Sequence, residues 1–493
     1  MKLMWHNYKY YPYERQLALR EAKSILGSSN IIQTEHGLEL SDTEPEYARR
    51  LVYFSQIHHQ QLTIDTIQAK LERAASAGRK RQATRYSVHG LHEYKGKFNP
   101  QVAKSILNIF GVRNGDTVLD PFCGSGTTLV ECAQLGVKGT GFDINPFAVF
   151  IANAKLQALS TPINELKKSL KKLETSFSRT RQWIGHILYD ERGTYLSGWF
   201  DPNILGIIET VRARIESTTG EHGPIFLAIA SNLLRDYSLQ DPNDLRIRRR
   251  KTPLPETPFV EAFSAAAHGF LERVAEAQGI LGLELPRGEA VLRDVAATLA
   301  TTPVAQFDAA LTSPPYAMAL PYIDTQRLSL VWLNLVPSGS ILGLEADLIG
   351  SREIRGRTRR DLVSRLTGNI DQIPDEQLAL CRKMQSHLGP NDGFRRQAVP
   401  TLLYRYFGAM QRSFSAVRRL MKPNAPYALI VGHNHTVLGG VRFDFDTPRH
   451  LADLAVHVGW KIEELIELQT YQRYGYHMDN AVSAETLILL RNQ

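Results

Sequence analysis

At 493 residues, with 43% hydrophobic and 22% charged side chains, the chain has room for two or three domains, or for one catalytic domain with large insertions. These fractions exclude a disordered or fibrous chain, and no run of about 18 apolar residues offers a membrane-spanning helix. The net charge of +8 gathers in three clusters: Arg79-Lys80-Arg81 with Arg85; Arg246 to Lys251; and Arg352, Arg355, Arg357, Arg359 and Arg360. Each cluster suits a phosphate backbone as well as it suits a solvated face. Cys123, Cys132 and Cys381 form neither a disulfide framework nor a metal-ligand pattern. The start, MKLMWHNYKYYPYERQ, lacks a secretory apolar core. A reducing cytoplasm is the expectation.

In chain order, residues 1–75 read as a small α/β or helical N-terminal cap. It has a Tyr-rich start, a helix over Glu14 to Leu26, a polar break, then a strand and a second helix between Glu44 and Ala74. A basic linker (76–88) leads to His89 and on to Pro100, which opens a helix in the position favoured for proline. Thr117-Val118-Leu119 reads as a buried strand, Gly124-Ser125-Gly126 as a tight turn, Thr127 to Leu135 as a helix, and Val137 to Phe142 as a strand ending on Asp143. Strand, glycine turn, helix, strand and acid make the first half of a nucleotide-binding sheet. The helix start offers free N–H groups, and the acid can hold two ribose hydroxyls. This is the first part of the core, 76–150.

A helical insertion, 151–285, follows, too long for an ordinary crossover. The core resumes over 286–340 with strands at Ala290 to Asp294 and Phe307 to Thr312. The second of these runs into Ser313-Pro314-Pro315-Tyr316. A second helical insertion covers 341–400. The last part, 401–493, reads as helix Tyr404 to Leu420, strand Tyr427 to Val431, helix Thr447 to Val458, and strands Lys461 to Gln469 and Glu485 to Arg491.

A bare Gly-x-Gly is a weak signal, and Leu129 stands where a dinucleotide fingerprint has its third glycine. The fuller string Asp120 to Thr128, DPFCGSGTT, resembles motif I of S-adenosylmethionine-dependent amino-methyltransferases acting on nucleic acid. The resemblance implies a class I methyltransferase, α/β and Rossmann-like, with a mostly parallel sheet and an antiparallel C-terminal hairpin. It implies S-adenosyl-L-methionine as cofactor. Asp120, Phe122, Gly124, Gly126 and Thr127 would line the methionine end. Asp143 would take the ribose, Asp294 the adenine amino group, and Lys97 and Phe98 fall in the segment that closes over the cofactor.

The second motif is Thr312-Ser313-Pro314-Pro315-Tyr316, at the C-terminal edge of the sheet. An exocyclic amine attacks poorly because its lone pair is conjugated into the ring. Two acceptors aimed at its N–H groups, the Ser313 side chain and the Pro314 carbonyl, pull it toward tetrahedral geometry. Pro314 and Pro315 hold that carbonyl in place beforehand. Tyr316 offers a flat face to a base swung out of the duplex. The donor is already a cation, so no metal is needed.

Serine before the prolines resembles N4-cytosine DNA methyltransferases most. N6-adenine methylation, an RNA (tRNA) amino-methyltransferase, and an inactive cofactor-binding DNA-recognition protein stay open. Cytosine C5 chemistry needs a cysteine nucleophile, usually after proline, and the chain has no Pro-Cys pair. The implied partner is DNA, contacted by Arg246, Arg248, Arg249, Arg250, Lys251, Arg355 and Arg357; whether a cognate restriction nuclease accompanies the chain stays open. Smaller candidates are His89, His92 and Glu93, read as a surface loop rather than a metal site; Tyr322, Asp324 and Arg327 beside the base pocket; Trp199-Phe200, read as core; and Arg473, Tyr474, Tyr476 and His477, read as a solvated hairpin.

Overall fold

The structure is a computed structural model that describes residues 1–27, 30–40, 45–76, 82–179, 190–244, 246–300, 305–317, 322–354, 356–469 and 484–493. Five N-terminal strands are β1 (Lys2–Trp5), β2 (Ile31–Gln33), β3 (Gly37–Leu40), β4 (Phe54–His59) and β5 (Leu62–Asp65). They form an antiparallel sheet in the order β2-β3-β1-β4-β5, with helix Pro12–Leu26 beside it. The stretch expected to hold one helix between Glu44 and Ala74 contains the β4–β5 hairpin before helix Ile67–Ser76. Its turn runs through Gln60 at φ 55°, a conformation usually marked by glycine or asparagine. That missing mark hid the hairpin.

The remaining strands are β6 (Thr117–Asp120), β7 (Lys138–Asp143), β8 (Glu289–Leu292), β9 (Ala309–Thr312), β10 (Pro426–Gly432), β11 (Asn434–Leu438), β12 (Val441–Phe445), β13 (Trp460–Gln469) and β14 (Ala484–Asn492). Seven form one sheet in the order β13-β14-β10-β9-β6-β7-β8. The pairs β10–β9, β9–β6, β6–β7 and β7–β8 are parallel. β14 runs antiparallel to β10 and to β13, which makes the C-terminal hairpin. β11 and β12 form a separate hairpin through Gly439 (φ 53°) and Gly440 (φ 77°). Two adjacent glycines are a hairpin signal in the sequence, here one that no expected element included.

Strand periodicity decides which cluster each residue joins. Val118, Ala309, Leu311, Ala428, Ile430, Leu487 and Leu489 face the N-terminal sheet, packing with Leu3, Leu17 and Phe54 and with helix Pro100–Ile109. Leu119, Ala310, Leu429, Val431, Ile488 and Leu490 face the other way, against helices Asp375–Ser386, Val399–Leu420 and Thr447–His457. The N-terminal sheet therefore closes one face of the seven-stranded sheet. Arg20, paired with Glu464 at 2.6 Å, ties it to β13.

Helices Ile163–Ser178, Pro202–Thr218, Gly223–Leu233 and Phe259–Leu281 merge into a third cluster with Pro146–Ser160 and Tyr322–Trp332. Ser231 Oγ donates to Ser329 Oγ at 2.8 Å, and Gln278 Nε2 donates to the Thr161 carbonyl at 2.6 Å. This packing sets the insertion against the helices that follow β7 and β9. Among the described residues no helix is long and apolar enough to cross a membrane.

Candidate active site

The glycine turn leaves the C-terminal end of β6. Gly124 and Gly126 have φ of 48° and 79°. A Cβ on Gly126 would come 2.7 Å from Ala152 Cβ, so both the conformation and the approach of helix Pro146–Ser160 require glycine there. Beside Gly124, among the described residues, the space is open except for the Tyr94 ring, 3.6 Å from an added Cβ. Tyr94, from the segment before helix Pro100–Ile109, is a site residue that sequence reasoning missed. Its signal was its place three residues before Lys97, in the segment expected to close over a cofactor.

Asp143, half-buried at the end of β7, accepts from Gly124 N–H at 2.9 Å and Asn145 N–H at 2.8 Å. Burial pushes its carboxyl up to about 6, against these N–H groups. Asp120 is buried and accepts from Phe122 N–H at 3.1 Å and Thr312 Oγ–H at 2.6 Å. Burial pushes it up to about 6 as well. Asp294, exposed beyond the end of β8, accepts from Ala296 N–H at 2.9 Å. In the ladder Asp143 pairs with Leu292, so Asp294 follows its level by two residues.

The Thr312–Asp120 bond joins the two motifs, since Thr312 immediately precedes Ser313. A second buried bond does the same from outside: Asn145 Nδ2 donates to Gln326 Oε1 at 2.7 Å, linking the loop after β7 to helix Tyr322–Trp332. Each charge-assisted or buried bond of this kind contributes about 1–3 kcal/mol. Ser313 Oγ lies 3.4 Å from the Ile430 carbonyl on β10. The Pro315 carbonyl accepts from Tyr406 Oη at 3.1 Å. Tyr316 Oη donates to Glu485 Oε1 on β14 at 2.7 Å. The turn is thus held from two neighbouring strands and from helix Val399–Leu420.

Behind the glycine turn lie buried charges that the sequence pattern did not single out. Lys155 is fully buried, and its Nζ donates to the Ser125 carbonyl at 2.8 Å. Burial, and then the charge of Lys97, push its pKa well below the usual lysine value. Lys97 Nζ donates to the Thr84 carbonyl at 2.9 Å, and burial pushes it to about 7. Phe98 packs with the cluster facing the N-terminal sheet, away from the turn.

His89 is buried rather than part of a surface loop. Its Nε2 sits 2.5 Å from Glu131 Oε1, which also accepts from Tyr86 Oη at 2.8 Å. Lys104 pairs with Glu131 at 2.8 Å. Burial alone would raise the Glu131 carboxyl, but Lys104 and His89 hold it at about 2. Burial pushes His89 down to about 3, so at neutral pH it is an uncharged donor.

The basic run is a pinned ribbon. Asp241 N–H donates to the Arg248 carbonyl and Arg250 N–H to the Leu239 carbonyl, both at 2.8 Å. Arg248 pairs with Asp244 at 3.0 Å, Arg249 lies over the Trp199 ring at 4.8 Å, and Arg250 Nη1 donates to the Asp236 carbonyl at 2.6 Å. Arg246 and Lys251 are exposed. Trp199 is half-buried under Arg249, and Phe200 is core, as expected. Arg327 pairs with Asp324 at 3.0 Å and with Glu345 at 3.2 Å. Arg355, Arg79 to Arg81, and Arg473, Tyr474, Tyr476 and His477 lie outside the described residues, as does the side chain of Arg357.

Residues 35–154, which span the glycine turn and Asp143, match a family described as DNA methylase. Over 105 residues the chain is 44% identical to the type II methyltransferase M.MjaII of Methanocaldococcus jannaschii, covering 21% of this chain and 18% of that protein. It is 32% identical over 106 residues to the type II methyltransferase M.BsoBI of Geobacillus stearothermophilus, covering 21% of each. It is also 44% identical over 52 residues to a tRNA (guanine(10)-N2)-dimethyltransferase of Methanothermobacter thermautotrophicus, 10% of this chain and 16% of that one. The matched stretches thus span about a fifth of these relatives' own lengths or less.

Proposed function

We propose that this chain, an amino-methyltransferase family member through residues 35–154, transfers a methyl group to the exocyclic amine of a base in DNA, and that the base is cytosine, methylated at N4. The observation that carries the reading is the Thr312–Asp120 bond, which sets Ser313-Pro314-Pro315-Tyr316 against the glycine turn at one sheet edge. The likeness to type II DNA methyltransferases supports DNA over RNA, although the tRNA enzyme shares a shorter stretch. Serine ahead of the prolines supports cytosine.

The residues around the turn fit S-adenosylmethionine. Space beside Gly124 is open, the buried Ser125 hydroxyl has no partner among the described residues, and Asp143 is reachable at its strand end. When bound, that cofactor supplies an electrophilic methyl group on a cationic sulfur. Asp143 holds ribose hydroxyls, the start of helix Thr127–Gln134 faces the amino-acid end, and Tyr94 covers the turn. Lys155 positions the turn by fixing the Ser125 carbonyl from below. Ser313 Oγ and the Pro314 carbonyl accept the two amine hydrogens, and Tyr316 stacks on the base. The amine loses a proton to water after transfer.

Lys155→Met is expected to weaken cofactor binding about tenfold, one hydrogen bond's worth, with kcat at saturating cofactor within about twofold of wild type. Calorimetry together with steady-state kinetics reads both. An equal loss in kcat would place Lys155 in the chemistry instead. Binding should also depend on pH. Asp143 accepts both ribose hydroxyls in charge-assisted bonds only as a carboxylate, and that form is lost as pH falls through about 6. Cofactor affinity should rise from about pH 5, by up to tenfold per unit, and level off above about pH 7. A profile flat across this range would contradict the assignment. The reading as a whole is tested by tritiated methyl transfer to duplex DNA and to tRNA in parallel. Label in the DNA alone supports it, and label in the tRNA alone overturns it.

A further inference from the structure

Beyond Pro314 the catalytic turn has its carbonyls engaged by the rest of the fold. The Pro315 carbonyl accepts from Tyr406 Oη at 3.1 Å. The Ala317 carbonyl accepts from Asn434 Nδ2, at the start of β11. Between them the Tyr316 carbonyl is covered by the backbone at Gly350, where φ is 79° and a Cβ would come 2.4 Å from that oxygen. Among the described residues no donor reaches the Pro314 carbonyl.

The groups that engage the turn are themselves held. Tyr406 is buried on helix Val399–Leu420. Arg405, the residue before it, donates to the Ser351 carbonyl at 2.7 Å and so keeps Gly350 beside the turn. Asn434 follows β10, the strand next to β9, whose end carries the turn. Its Oδ1 accepts from the buried Thr447 hydroxyl at 3.4 Å, which directs its NH2 group to Ala317.

The effect of these bonds reaches Pro314 through the backbone. A proline ring locks φ, so one soft torsion, ψ of Pro315, separates the carbonyl that Tyr406 holds from the peptide plane bearing the Pro314 carbonyl. Anchoring the plane after Pro315 therefore restrains the plane before it. An undonated Pro315 carbonyl would also offer the amine a second acceptor, one residue from the intended one.

We propose that Tyr406 and Asn434 are positioning residues of the transfer reaction. By occupying the Pro315 and Ala317 carbonyls they leave the Pro314 carbonyl for the amine and hold it on aim. Both act through the turn. The role rests on the reading of Ser313 to Tyr316 as the element that activates the amine.

The test uses the full chain, tritiated S-adenosylmethionine, and whichever of duplex DNA or tRNA the wild type labels. Single-turnover rates are measured at saturating enzyme, with cofactor and nucleic-acid Kd measured separately. Tyr406→Phe and Asn434→Ala should each slow transfer about tenfold, and the double variant up to about a hundredfold, as when a reacting group is misplaced. Both Kd values should stay within about twofold of wild type, since the aim of the acceptor matters in the transition state. Asn434→Asp keeps the shape but sets an acceptor against the Ala317 carbonyl, so it should fall below Asn434→Ala. Tyr404→Phe is the control: it removes another buried hydroxyl from the same helix, one that accepts from Asp371 N–H at 2.8 Å, and should transfer at the wild-type rate. Wild-type rates in Tyr406→Phe and Asn434→Ala overturn the proposal, as does an equal loss in Tyr404→Phe. In either case labelling by the wild type leaves the amine-transfer reading standing. If the wild type labels neither nucleic acid, that reading fails, and this role fails with it.

Discussion

Ser313→Ala should lower kcat by about 10²- to 10³-fold while leaving cofactor affinity within about twofold, the loss typical of removing one preorganised acceptor from a transition state. The geometry explains the size. The Ser313 hydroxyl faces the Ile430 carbonyl at 3.4 Å, so its hydrogen is directed into the sheet and its lone pairs are left for the amine. Pro315's carbonyl is already engaged by Tyr406, which leaves the acceptor role to Pro314. Both acceptors belong to the catalytic turn rather than the glycine turn, so the cofactor should not register the change. Tyr316 adds an internal control. Its ring is tethered through Glu485. Tyr316→Phe keeps the flat face and should lose about tenfold or less, whereas Tyr316→Ala should approach the serine variant. Single-turnover kinetics separates these losses from binding. A Ser313→Ala enzyme at wild-type rate would remove the proposed activation of the amine.

The second large effect is on stability. Glu131→Ala should cost about 3–5 kcal/mol in urea unfolding, because it leaves the buried Lys104 ammonium without its counter-charge and the Tyr86 hydroxyl and His89 without their shared acceptor. Lys104 retains Gln68 and Gln134 as acceptors at 2.7 and 2.9 Å, which is why the expected loss is not larger. Replacing both charges together, as Glu131→Leu with Lys104→Met, should recover much of it, since a buried pair exchanged for apolar side chains is often neutral. A loss under about 1 kcal/mol in the single variant would contradict this role for the buried Glu131 carboxylate. The network joins the segment before helix Pro100–Ile109 to helix Thr127–Gln134, so it also sets where Tyr94 lies over the turn.

Much of the sheet could be read from the chain because its signals are local. β6, β9 and β10 are short apolar runs buried on both faces, and the first two end on motif residues, Asp120 and Thr312. Gly126 announced the turn because nothing larger fits against Ala152. What escaped the sequence depends on partners distant along the chain. Lys155 looks like any lysine of an apolar helix until the fold sets it under Ser125, thirty residues away. His89 resembled part of a surface loop because Glu131 lies far along the chain. The N-terminal sheet was missed where Gln60 replaced the usual turn residue. The arginine run read as one stripe, yet the ribbon engages most of it internally.

The central claim, transfer to the exocyclic amine of cytosine in DNA, is tested most directly by mass spectrometry of nucleosides. Duplex DNA lacking all methylation is incubated with the full chain and S-adenosylmethionine, digested, and compared with a Ser313→Ala reaction. The account predicts N4-methylcytosine with wild type and a much smaller yield with the variant. N6-methyladenine in its place would contradict the assigned base while keeping the amine chemistry. Either 5-methylcytosine or unmodified DNA would contradict the account itself.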